Sequence, residues 1–94
     1  MVAWNCDDSL VITAQERFGF SSVIRVWKSN NGLLFHELND FHTDEVTVLE
    51  THPIDPRLLM SAGCDGNIIL WNILYGRLIK KFSNVYFFML FFLR

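Results

Sequence analysis

Two stretches of this chain repeat each other at a fixed offset. Val26-Trp27 and Leu70-Trp71 lie 44 residues apart, and Gly32 and Gly76 keep the same spacing. So do Leu34 and Leu78, and Leu38 and Phe82. Self-similarity at a period of roughly 20–50 residues marks repeat architectures, in which one unit buries its faces only against its neighbours. Each unit reads strand, turn, strand, turn, strand with Trp, Gly turn, strand. That is a four-stranded antiparallel meander used twice.

The local signals place the strands. Val2–Trp4, Leu10–Ala14, Val23–Lys28 and Leu33–Leu38 are expected in the first unit. Glu45–Thr51, Leu58–Ala62, Asn67–Asn72 and Arg77–Phe82 are expected in the second. These runs are rich in β-branched and aromatic residues. Between them stand turn formers: Cys6-Asp7-Asp8-Ser9, Ser29-Asn30-Asn31-Gly32, Asp65-Gly66 and Leu74-Tyr75-Gly76. Asp and Ser side chains bond nearby amides there, and Gly takes up positive φ at no steric cost. Pro53 and Pro56 remove ladder donors, so His52–Arg57 is a turn. No helical periodicity stands out before residue 83. In Asn67–Asn72, odd and even positions face opposite ways and both sets include apolar residues. Such a strand is covered on both sides, as in a stack or radial array of sheets.

Composition narrows the function classes. Ninety-four residues allow one small domain, and 51% apolar content with 15% aromatics argues against disorder. Eight basic residues against ten acidic ones leave no electrostatic footprint for nucleic acid. Arg77, Lys80 and Lys81 form the one basic cluster and read as a guarded sheet edge. Cys6 and Cys64 make neither a disulfide framework nor a C-x-x-C pair, which fits a reducing compartment. No secretory leader is visible at Met1. The longest apolar run, Val85–Leu93, has nine residues, well short of the roughly 20 a spanning helix needs, so no membrane span is expected.

With these residues in view, the chain resembles a WD-repeat β-propeller. The repeat length and blade-closing Trp fit that family, and the second unit fits it position by position. His42 sits where the family has its Gly-His histidine, Ser61 is the second-strand hydroxyl, Asp65 the turn carboxylate and Trp71 the third-strand indole. The resemblance implies a structural network running from the Trp71 indole to Ser61, from Ser61 to His42, and from His42 to Asp65. Further segments resemble the propeller of the bromodomain and WD-repeat proteins: Met1–Trp4, Val11–Ala14, Asp44–Val46, Val48–Glu50, His52-Pro53 with Asp55–Arg57, and Ser61–Gly63 with Asp65–Asn67. Those are large nuclear proteins, so the resemblance implies a chromatin-associated setting. The pattern is also broken in places. Phe41 replaces the family's Gly, and Lys28 and Asn72 replace the Asp that follows each Trp. The first unit has about four extra residues in Gln15–Ser22 and no Asp or His to complete a network, so Trp27 reads as a blade-packing residue only.

Other chemistry is weaker. Ser61, His42 and Asp65 have the residue types of a hydrolytic triad. Ser61, however, lies in an apolar strand and not in a G-x-S-x-G elbow. Cys64, His52, His42 and Asp65 lack recognised metal-ligand spacing. His36 reads as solvated on an outer strand, and His52 as a strand-end cap.

The sequence thus predicts an all-β chain. Two four-stranded antiparallel WD-type blades, residues 1–38 and 39–82, are followed by a hydrophobic tail at 83–94 outside the repeat. The expected function is a non-catalytic protein-interaction scaffold, with no cofactor or metal. Its expected partners are other proteins, chromatin-associated by resemblance, and the missing propeller blades. The nucleus is the expected location and the cytoplasm the alternative. The competing reading is a truncated gene product with no independent activity. Two blades cannot close a ring, so the isolated chain is expected to be marginal, to self-associate or to need further blades.

Overall fold

A computed structural model describes residues 1–15, 22–38 and 42–83. Residues 16–21 of the expected long loop, Phe41 with the link around it, and the apolar run Val85–Leu93 lie outside the described residues. The described residues form eight strands: β1 (Val2–Trp4), β2 (Leu10–Gln15), β3 (Val23–Lys28), β4 (Leu34–Leu38), β5 (Val46–Thr51), β6 (Leu58–Gly63), β7 (Ile68–Asn72) and β8 (Arg77–Phe82). They make two four-stranded sheets, ordered β1-β2-β3-β4 and β5-β6-β7-β8. Every pairing is antiparallel. The strand ends fall within one residue of the expected ones.

The repeat extends to irregularities. The β3–β4 ladder shifts between Val26 and Trp27, and the β7–β8 ladder between Leu70 and Trp71. In each case the outer strand carries one extra residue, Phe35 or Ile79. A third bulge falls in β5, where Thr47 is extra. The Thr47 hydroxyl is buried there without a hydrogen-bond partner.

Pleating gives each sheet two faces, and the chain joins one face of each. From the first sheet come Leu10, Ile12, Ile24, Val26 and Leu38; from the second come Leu59, Ile69 and Trp71, all buried in one cluster. Burial of this kind contributes about 1.5–3 kcal/mol for each large apolar side chain. A smaller cluster of Val48, Ala62 and Ile68, with Met60 beside it, lies on the outward face of the second sheet.

Polar groups fasten the seam. Asn5, 2% exposed, accepts from the Leu10 amide at 2.9 Å and donates to the Pro56 carbonyl of the second sheet at 3.1 Å. Buried Ser22 accepts from the Val46 amide at 3.0 Å. Thr51 Oγ1 donates to the Trp4 carbonyl at 2.9 Å. The expectation that His36 is merely solvated is corrected here. It is half-buried, and its Nε2 donates to the Leu74 carbonyl of the other sheet at 2.9 Å. Its ring lies where a Cβ on Gly76 would fall, 2.6 Å from Nδ1. Gly76 also holds φ at +68°, so two constraints demand glycine there.

Candidate functional site

The second sheet brings four polar side chains into one chain of hydrogen bonds. Trp71 on β7 and Ser61 on β6 are diagonal neighbours, since Leu59 pairs with Trp71 and Ser61 with Ile69. The Trp71 indole N–H donates to Ser61 Oγ at 2.8 Å. Ser61 Oγ lies 2.7 Å from His42 Nε2, and His42 Nδ1 lies 3.0 Å from Asp65 Oδ2. An indole only donates and an ionised carboxylate only accepts, so the Ser61 oxygen accepts from the indole and its O–H donates to Nε2 of the neutral His42 ring. That assigns the His42 proton to Nδ1, where it points at the Asp65 carboxylate.

Asp65 is placed by its turn. It accepts from the backbone amides of Asn67 at 3.0 Å and Thr43 at 2.9 Å. Gly66, with φ +76°, lets the chain reverse directly behind it. One carboxylate thereby orders the β6–β7 turn, the backbone after His42 and the imidazole itself. Gly63 is needed for the same closeness. A Cβ there would lie 2.5 Å from the Glu45 carbonyl oxygen.

The electrostatics follow from burial. Desolvation lowers the His42 pKa below its ordinary value, against the opposing pull of Asp65. Burial pushes the Asp65 carboxyl up, but hydrogen bonds from Asn67, Thr43 and His42 outweigh it and hold the net value below the usual 3.8. The resting pair is a neutral imidazole beside an ionised carboxylate.

Hydroxyl, imidazole and carboxylate stand in the order of a hydrolytic triad. Access is what separates the two cases. Ser61 is 0% exposed and His42 2%, and the indole already donates to the serine oxygen. No carbonyl carbon can approach Oγ without dismantling the sheet.

The remaining candidates are dispersed. His52 sits at the end of β5, where its Nδ1 accepts from the amides of Ile54 at 3.1 Å and Asp55 at 2.9 Å. Cys6 and Cys64 are both exposed and neither is in a disulfide. Among the described residues no group of three or more His, Cys, Asp and Glu could hold a metal ion. No helix among them is long and apolar enough to cross a membrane. Asn72, in place of Asp, caps the next turn by accepting from the amides of Leu74 and Tyr75, both at 3.1 Å.

Sequence reasoning missed a second indole bond. Trp27 does more than pack: its Nε1–H donates to Thr13 Oγ1 at 2.9 Å. Val11 pairs with Trp27 and Thr13 lies two residues on, which is the relation Ser61 has to Trp71. Asn5 and Ser22 were missed as well.

With this geometry in hand, comparison with known proteins is informative. No protein-family profile matches the chain. Over 81 residues, 86% of this chain, it is 44% identical to a bromodomain and WD repeat-containing protein of Dictyostelium discoideum. Over 87 residues, 89% of the chain, it is 32% identical to the Polycomb group protein FIE1 of Oryza sativa subsp. japonica. A TSET complex member, tstF of Dictyostelium discoideum, is 29% identical over 68 residues, 72% of the chain. The chain spans only 3%, 18% and 6% of those three proteins. Its fold matches the β-propeller domain of Cps50 (Swd1) from Myceliophteria thermophila with a TM-score of 0.73 and 18% identity. That match covers 87% of this chain and 24% of the other.

Proposed function

Taking as premise that its homologues are WD-repeat proteins and that its two sheets are β-propeller blades, we propose that this chain is a non-catalytic protein-interaction scaffold of the chromatin-associated type. Residues 1–38 and 39–82 are its two blade units, and 83–94 lie outside the repeat. The observation that carries the reading is the buried state of the triad-like cluster. Ser61, His42, Asp65 and Trp71 spend their polar atoms on one another and on backbone amides, and so rigidify the blade. What remains for recognition is the set of turns at the blade ends, where propellers carry variable surface. The chromatin setting is supported by the names of two relatives, a bromodomain and WD repeat-containing protein and a Polycomb group protein.

Ser61→Ala separates the scaffold from an enzyme. A scaffold loses stability and has no ester or amide turnover to lose; a hydrolase loses turnover. Proximity labelling with the tagged chain tests the setting. Labelled chromatin proteins are expected, and labelling confined to the cytoplasm overturns the nuclear part of the proposal.

A further inference from the structure

The chain joins its blades by one pairing of faces, and the repeat places a copy of each joined face on the outside. In the first blade the receiving face includes Leu10, Ile12, Ala14 and Ile24, packed against the Trp71 side of the second blade. Strand register puts Leu58, Met60, Ala62 and Ile68 at the matching positions of the second blade's outward face. There a depression of about 360 Å³, bordered by Pro53, Leu58, Met60 and Leu70, lies open. The inserted face is copied too. On the outward side of the first blade, Val11, Thr13 and Trp27 stand where Leu59, Ser61 and Trp71 stand in the second. Trp4 beside them is 53% exposed.

We propose that a second copy of this chain covers the outward face of the second blade, presenting its own Trp27 face, and that the same step repeats until a ring closes. Such a contact is head-to-tail, so it makes a ring where the rotation closes and a filament where it does not. The step between these two blades superposes on a β-propeller domain with a TM-score of 0.73, so its rotation is of the closing kind. Each copy adds two blades, so about two to four copies give a ring within the typical range of 4–8.

The repeat favours a second copy over an arbitrary apolar occupant, because each outward face reproduces, position by position, one of the two faces the chain already joins. On the inserting face Arg25, 3.6 Å from Glu37, replaces Ile69 of the repeat. On the receiving face Glu50 replaces Ala3. Each outward face thus carries one charge of each sign, Arg25 with Glu37 on the inserting face and Glu50 with Lys80 on the receiving face, so no net charge opposes their meeting. The inference concerns blade faces and not the end turns, so it stands apart from the scaffold reading.

Sedimentation of the full 94-residue chain tests it. A discrete species of about two to four chain masses is expected, consistent with the usual blade number. Met60→Glu blocks the receiving face and Val11→Glu the inserting face, and each alone is expected to leave only single chains. Mixed one to one, the two variants retain one good face each, so they are expected to form a heterodimer and nothing larger. Leu70→Glu and Trp4→Glu provide a second pair at half-buried and exposed positions. A monomeric parent chain overturns the proposal. So does association that survives both single substitutions, or a mixture that stays monomeric.

Discussion

Trp27 donates its indole proton to Thr13 across the first blade at 2.9 Å, and this bond differs from its counterpart at Trp71 in burial rather than in length. Trp27 is half-buried, whereas Trp71 is 1% exposed. Water can replace the Thr13 hydroxyl, so Thr13→Val should cost under about 1 kcal/mol. Ser61→Ala strands two buried groups, the Trp71 N–H and His42 Nε2, and should cost about 2–4 kcal/mol. Urea midpoints of the two variants measured side by side check the ranking.

Acid should unfold the protein in two stages. The folded His42 pKa is depressed, first by burial, so the unfolded chain takes up this proton more readily. The stability held by the neutral ring is complete above the unfolded value of 6.5 and is lost as pH falls below it toward the lower folded value. Asp65 is also depressed, so its contribution is complete above 3.8 and is lost below that. Urea midpoints should be level from pH 7 to 8, fall as pH drops through 6.5, and fall again below 3.8. His42→Gln should remove the first fall and leave the second.

Two glycines should resist alanine for different reasons. At Gly63 the obstacle is the Glu45 carbonyl 2.5 Å from the new methyl, and relieving it parts β5 from β6. Overpacking of this kind costs about 1–3 kcal/mol. At Gly76 a left-handed backbone of +68° adds its own penalty of about 1–2 kcal/mol to the clash with His36. Thermal unfolding of both variants should show lowered midpoints. His36→Ala should restore part of the loss in Gly76→Ala and none in Gly63→Ala.

One substitution should stabilise. Thr47 Oγ1 is buried in the β5 bulge without a hydrogen-bond partner. Thr47→Val keeps the shape and removes the stranded hydroxyl, for a gain of about 1 kcal/mol. A lower urea midpoint for this variant refutes that account.

The strands were legible because each is a short run of β-branched or aromatic residues closed by Asp, Asn, Gly or Pro. The tetrad was legible only by resemblance, since nothing in the order His42, Ser61, Asp65, Trp71 dictates contact. Thr13 escaped notice because residues in the 15–22 stretch lengthen the β2–β3 connection. Thr13 matches Ser61 at an offset of 48, while Trp27 matches Trp71 at 44. Asn5, Ser22 and His36 were opaque because they act between sheets. A single-chain pattern records which way a side chain points, not which carbonyl of another sheet it meets.

The extra residue at Ile79 has a consequence for the outer rim. Lys80 faces Leu70 and Leu78 faces Trp71, so deleting Ile79 would keep every one of those partners and remove only the local twist. β8 would then be a straight, solvent-facing ribbon ending in Phe82, the kind of margin on which amyloid-like growth can template. A chain lacking Ile79 should fold, yet bind thioflavin and seed fibrils where the parent does neither. The kink beside the indole is, on this view, a guard against polymerisation.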